Sequence, residues 1–319
     1  MSIYTIADLK KFRQGGGFSD YTDTLTSRIP CIGAHISIAA SYRKAALDAH
    51  RIGANTMQIF TSSPRMWRAS LPRPEDVVAF QHARAEHGIA PLVVHDNYLI
   101  NLASTDPGIR AKSIAAYRGE VERALYAGAD YLVAHPGSGR GQSVVAAIEA
   151  VARGLLEATQ GLGSDRLMLL LENTAGQGAA LGADLTEIAA IRDLARGIGF
   201  QVGYCLDTAH SFAAGYAIHE EAGFAEFVET VERILGWNCV PVIHANDSKA
   251  PFGSRVDRHQ HIGRGHIGKK AFGRILRHPF LRDKAFILET PIEEEGDDAR
   301  NIATLRGLCR GSSSARRSI

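Results

Sequence analysis

Residues 91–95 read PLVVH and residues 131–135 read YLVAH, two short apolar runs that each close on a histidine. The same form recurs along the chain in CIGAH (31–35), TMQIF (56–60), LMLLLE (167–172), VGYCLD (202–207), PVIHAND (241–247) and AFILE (285–289). Runs this short and this rich in Val, Ile and Leu are the pattern of parallel strands buried on both faces. Between them lie segments with helical spacing, among them YRKAALDAHRIG (42–53), EDVVAFQHARAEHG (75–88), VVAAIEAVARGLLEA (144–158) and LTEIAAIRDLARGIG (185–199). Several stop at glycine, which takes the left-handed turn past a helix end most easily. Eight strands alternating with helical crossovers predict an α/β chain folded as a single (β/α)8 TIM barrel. A doubly wound open sheet is the alternative, because strand order is not written in the sequence.

Around the barrel, residues 1–29 carry the Gly15–Gly17 run and a polar stretch without period, and read as a loosely attached extension. Residues 30–309 form the expected catalytic domain, and 310–319 read as a basic tail. The net charge is only +2, so any nucleic-acid surface must be a local patch. Residues 249–284 supply one, with ten Lys or Arg against two Asp. The four cysteines lie far apart with no CxxC pair, as in a reduced compartment. No run approaches the ~20 apolar residues of a membrane span. The opening MSIYTIADLKKFRQGGG (1–17) has charges where a signal peptide needs its apolar core. A cytoplasmic monomer with no membrane association is expected.

The strand ends carry the chemistry. Seven of the eight runs close in, or within a few residues of, His35, His95, His135, Glu172, Asp207, His244 or Glu289; TMQIF alone ends apolar. In barrels the C-terminal strand ends form the mouth where sites assemble. Imidazole and carboxylate are the ligand set that suits zinc and related divalent metals. In LDTAH (206–210), Asp207 and His210 stand three apart at a strand-to-helix turn; in SRVDRHQHIG (254–263), Asp257 and His259 alternate and share a side if the loop is extended. One such residue alone is more often a loop cap than a ligand. The set is different, because crowded carboxylates repel unless a cation neutralises them. So many ligands exceed the four or five that one zinc takes, so more than one ion is expected. His50, His82, His87, His219 and His278 read as surface residues, while His261 and His266 stay open. Cys205 reads as core, and the absence of Walker A, GxGxxG and GxSxG motifs leaves no organic cofactor to expect.

GAHIS (33–37), HDNYLINLAS (95–104), HPGS (135–138), ENTAGQG (172–178), LDTAHSFAAGY (206–216), HANDSK (244–249), GSRVDRHQHIGRGHIG (253–268) and ILETP (287–291) resemble, in order and spacing, the signature segments of the endonuclease IV family. The resemblance spans about residues 31–291. It implies a zinc-dependent apurinic/apyrimidinic endonuclease of DNA repair, with three Zn2+ ions at the barrel mouth and Mn2+ or Fe as substitutes at one. The implied ligands are His95, His135 and Glu172 for one ion, and Glu172 bridging to a second held by Asp207, His244 and Glu289. His210, Asp257 and His259 are implied for the third, with Glu172 and Glu289 as the catalytic residues. FTSSPRMW (60–67) resembles a family segment that inserts into DNA. Arg65 is therefore the implied insertion, with Tyr98, Leu99, Arg255 and Arg258 as further contacts. The implied substrate is double-stranded DNA with an abasic site, cut on its 5′ side to leave a 3′-hydroxyl and a 5′-deoxyribose phosphate. Removal of 3′-blocking groups is a second implied activity. The chain departs from the family pattern at Ala40, Ser41, Ser62, Ser63, Gly139 and Ala217, none of them an implied ligand. A metal-dependent sugar isomerase of a related barrel is the rival enzyme, and a lesion-binding module without turnover the rival outside enzymes.

Overall fold

The computed structural model describes residues 30–310. The extension expected over 1–29, and all of the tail but Arg310, lie outside the described residues. The eight apolar runs become strands β1 (Cys31–His35), β2 (Thr56–Phe60), β3 (Leu92–His95), β4 (Tyr131–Ala134), β5 (Gly163–Glu172), β6 (Gly199–Asp207), β7 (Val242–His244) and, after a loop ribbon, β10 (Ala285–Leu288). The ribbon pairs β8 (Asp247–Ser248) with β9 (His259–Gln260) antiparallel. The eight long strands close as β1-β10-β7-β6-β5-β4-β3-β2, every pairing parallel. The fold is therefore the expected TIM barrel and not an open sheet.

Helices form where their caps are encoded. Ser41, Asp106, Ser143 and Asp184 each accept a backbone N–H at the start of a helix, satisfying donors that a helix leaves unpaired. Ser41, one of the departures from the family pattern, thus caps helix Tyr42–Arg51. The segment read as helical through Gly199 ends earlier, at Leu194, and the chain turns at Gly197 with φ +94°. At Gly199 a Cβ would lie 2.5 Å from the Leu162 carbonyl oxygen, so glycine there admits a close strand approach. β5 and β6 consequently begin earlier than their apolar cores, with Gly163 paired to Gly199 and a bulge before Met168 resumes the ladder.

Strand alternation then fixes what fills the barrel. Val93, Val133, Leu170, Cys205, Val242 and Ile287 form one buried cluster. Each stands two positions before His95, His135, Glu172, Asp207, His244 or Glu289. Residues two apart share a face of a strand, so the apolar layer underlies a polar layer at the mouth. A second, larger core lies between barrel and helices, from Ile32, Ile59 and Leu92 to Phe272 and Leu305. Among the described residues no helix is long and apolar enough to cross a membrane.

Candidate metal centre

Three groups of ligand atoms meet at the mouth: His95, His135 and Glu172; Glu172, Asp207, His244 and Glu289; and Asp207, His210 and His259. Within each group the atoms lie within 4.8 Å of one another. Glu172 and Asp207 each belong to two groups, so the three adjoin in a row. The resemblance implied sharing at Glu172 alone; the geometry brings Asp207 within reach of two groups as well. Asp257 joins from the ribbon side, its Oδ1 3.3 Å from Nε2 of both His210 and His259. The expectation that Asp257 and His259 face one side is met. His35 joins none of the groups: its Nδ1 is 3.9 Å from Glu289 Oε1 and 3.0 Å from Gln58 Nε2.

Local structure aims these groups. Asp207 caps helix Thr208–Ala214, its Oδ1 accepting the His210 N–H at 2.8 Å. The cap places the imidazole three residues on, back over the strand end. Asn246 Nδ2 donates to Asp207 Oδ2 at 2.6 Å, and Asn246 Oδ1 accepts the Glu289 N–H at 2.8 Å. Buried Asp247 accepts backbone N–H groups from Ser248, Gly263, Gly265, Ile267 and Gly268. It thereby folds the loop that carries Asp257 and His259 back onto the barrel.

Three of the histidines direct Nδ1 at a backbone carbonyl: His95 at Asp96 O (2.8 Å), His210 at Asn173 O (2.9 Å) and His259 at Glu289 O (3.1 Å). Each contact places the hydrogen on Nδ1 and turns Nε2, with its lone pair, to the centre; such outer contacts orient metal ligands. The Nε2 atoms of His135 and His259 are buried without a hydrogen-bond partner among the described residues. His135 Nε2 stands 3.2 Å from Glu172 Oε2, and His259 Nε2 3.5 Å from Asp207 Oδ2. Orphaned imidazole nitrogens against carboxylate oxygens are the donor set a divalent cation completes, so the residues fit such an ion.

The imidazoles and carboxylates of the cluster offset one another's charge. Burial opposes charge on His95, but its hydrogen bond to Glu172 carries it up to about 9. Burial likewise opposes charge on His210 and His244, yet their neighbours, Asp207 first for His210 and the Cys205 thiol followed by the Glu289 and Glu172 carboxylates for His244, hold both well above the usual imidazole value. Burial would raise Glu289 and Asp257; His244 brings the first to about 2, and His210 the second to about 2.

The implied DNA contacts lie on the rim. Arg65, Arg255 and Arg258 are exposed and Leu99 is half-buried. Tyr98 is 66% exposed, with its ring edge-on to Phe60 at 5.3 Å. The Tyr98 N–H donates to the Pro64 carbonyl at 3.3 Å, which joins the two loops. Buried Glu120 fastens both, accepting from Thr61 (2.6 Å), Ser62 (3.2 Å) and Asn97 (3.2 Å) and pairing with Arg123 at 2.8 Å. Ser62, another departure from the family pattern, is thus a loop anchor. At Gly139 a Cβ would meet that of Ala147 at 2.7 Å, so no side chain fits there. Of the open histidines, His261 is buried against Asn301 and His266 is exposed. Gln58 was missed altogether: it is fully buried beneath the ligands, touching Glu289, His244 and His35. Its signal was a polar residue amid the strand TMQIF, on the face shared by Thr56 and Phe60.

A barrel with His, Asp and Glu converging on its mouth defines a metal-fitting TIM-barrel protein, and the family model of the xylose isomerase-like TIM barrels matches residues 46–308. Within that class the chain is 52% identical over 278 residues to a probable endonuclease 4 of Solibacter usitatus, covering 87% of this chain and 96% of that one. It is 43% identical over 283 residues to a probable endonuclease 4 of Nitratidesulfovibrio vulgaris, covering 88% and 100%. The crystal structure of endonuclease IV from Thermus thermophilus superposes with a TM-score of 0.78 at 38% identity, over 88% of this chain and 99% of that one. A D-tagatose 3-epimerase-like protein, at 19% identity and a TM-score of 0.64 over 87% and 97%, shares the fold alone. The chain belongs to the endonuclease IV family.

Proposed function

We propose that residues 30–309 are the catalytic domain of a DNA-repair endonuclease, a cytoplasmic monomer that hydrolyses the phosphodiester 5′ to an abasic site in duplex DNA. The products are a 3′-hydroxyl and a 5′-deoxyribose phosphate. The observation that carries this reading is the convergence of the His, Asp and Glu set around buried Glu172 in a barrel of the endonuclease IV family. In this reading His95, His135 and Glu172 hold one zinc ion, and Glu172, Asp207, His244 and Glu289 a second. His210, Asp257 and His259 hold the third, with Asp207 within reach. When bound, the ions supply Lewis acidity to a phosphodiester whose own charge repels nucleophiles. Glu172, shared by two of the ligand groups, fixes their spacing, and Glu289 completes the second group; these are the catalytic roles of the two carboxylates in this reading. The sugar-isomerase alternative finds less support, since the epimerase-like barrel shares the fold at only 19% identity.

The cleft beside the ligands measures about 340 Å³ and is lined by Tyr98, Asn101, His135, Gln177, His210 and Asp257. It suits an extruded nucleotide without its base, whose unstacking costs least. Arg65, Tyr98 and Leu99 take the place of the missing base, and Arg255 and Arg258 contact phosphates. A nicking assay on an abasic oligonucleotide duplex, with and without chelator and paired with metal analysis, tests the whole. Chelator-sensitive nicking is expected; no more than one bound ion and no nicking would defeat it. Arg65→Ala and Tyr98→Ala are each expected to weaken abasic-duplex binding roughly ten-fold or more at unchanged metal content. Arg258→Ala should lower the salt slope of binding by about one. Equal affinity of all three variants with the wild type would remove the rim from DNA recognition.

A further inference from the structure

Buried in the middle of β2, Gln58 spends its amide on three polar groups at the floor of the centre. Its Nε2 donates to Glu289 Oε1 at 2.6 Å and lies 3.0 Å from His35 Nδ1, while its Oε1 lies 2.8 Å from His244 Nε2. An ionised carboxylate only accepts hydrogen bonds, so Glu289 fixes which end of the amide is the NH2. Its second hydrogen goes to His35 Nδ1, which therefore accepts. The amide oxygen is left facing His244 Nε2, and that nitrogen must carry a hydrogen. His244 Nδ1 keeps the lone pair, 2.9 Å from Glu172 Oε1 and 3.4 Å from Glu289 Oε2.

This is the reverse of His95, His210 and His259, whose Nδ1 atoms bond backbone carbonyls and which offer Nε2. His244 Nε2 points down into the barrel, where the strand carbonyls are engaged in the closed ladder. A side chain must do there what a carbonyl does elsewhere. A fully buried amide would be costly without its bonds. All three partners of Gln58 belong to, or adjoin, the ligand layer.

We propose that Gln58 is a positioning residue that sets the tautomer of His244 and orients Glu289, so that His244 meets the metal through Nδ1. The inference rests on the metal-centre reading above. It is tested by long-range 15N–1H NMR of the histidine side chains in the zinc-loaded full chain, together with ion counting and competition against a calibrated chelator. In the wild type, His244 is expected to show a hydrogen-bearing Nε2 and a zinc-shifted Nδ1, opposite to His95, His210 and His259. Gln58→Met keeps the bulk and removes both arms; it should scramble the His244 pattern and weaken zinc retention by about 10–100-fold. Gln58→Glu keeps an acceptor for His244 Nε2 but loses the donor to Glu289. It should therefore keep the tautomer while weakening retention. Wild-type signals and wild-type affinity in Gln58→Met would overturn the proposal, as would a wild-type His244 bound through Nε2. A wild-type protein that retains no divalent ion would instead overturn the metal-centre reading itself, a separate and distinguishable result.

Discussion

Glu172→Gln is expected to leave a folded barrel that nicks abasic duplex at about a thousandth of the wild-type rate or less, a loss of roughly 4 kcal/mol of transition-state stabilisation. The reason lies in how many neighbours this one carboxylate serves. It is fully buried; Oε2 stands 3.2 Å from Nε2 of both His95 and His135, and Oε1 stands 2.9 Å from His244 Nδ1 and 3.3 Å from His210 Nδ1. It is also shared by two of the three ligand groups. An amide of the same size removes the charge and turns an NH2 toward imidazole nitrogens or toward the cation. Two groups are weakened by a single change, so ion content should fall together with rate. Circular dichroism checks the fold, metal analysis the ion count and a gel assay the nicking. A variant that cuts at near-normal rate with a full complement of ions would remove Glu172 from its shared position.

How much of this was written in the sequence depends on how local each cause is. His95, His135, Glu172, Asp207, His244 and Glu289 were legible because strand termini and two-residue alternation are local properties, and the barrel turns them into one ring. His210 was legible through the turn it shares with Asp207. Gln58 escaped because a strand was judged by its last residue, whereas the inward face includes positions further back. His35 was grouped with the ligand candidates on the same local ground, yet it stands one step aside as the acceptor for Gln58. Asp247 and Glu120 lie deeper in the problem. Asp247 serves backbone N–H groups 16 to 21 residues away, and Glu120 joins loops 23 and 59 residues away. Nothing short-range marks either one, because their partners are set by the conformations of loops and not by any period. Ser62, read only as a departure from a pattern, turned out to be one of those partners.

The same cluster makes a second large effect predictable: removing the ions should reverse how stability depends on pH. In the metal-free protein His95 is raised from 6.5 to about 9, and His210 and His244 are also raised. A histidine raised in the folded state contributes stability in full below its unfolded pKa and loses it as pH climbs through the folded one. His95 alone then accounts for about 3 kcal/mol at 1.36 kcal/mol per pKa unit, lost between pH 6.5 and about 9. Burial would raise Glu172, but His244 first, then His135 and His210, hold it well below the usual carboxylate range. Glu289 and Asp257, held at about 2, act at the other end: their contribution is present above the ordinary carboxylate range and fails only as pH falls toward 2. Metal-free protein should therefore melt highest at mildly acidic pH and lose stability toward pH 9. Bound ions require deprotonated imidazoles, so the loaded protein should hold its stability from pH 7 to 9 and lose it on acidification, as protons displace metal. At neutral pH and above, each ion kept at about a thousand times its Kd adds roughly 4 kcal/mol, on the order of 10 °C in Tm. Thermal melts from pH 5.5 to 9, in chelator and at fixed free zinc, should give curves of opposite slope that diverge upward from neutrality. Parallel curves would mean that the buried histidines do not exchange protons for metal, and the ligand set would have to be redrawn around the carboxylates alone.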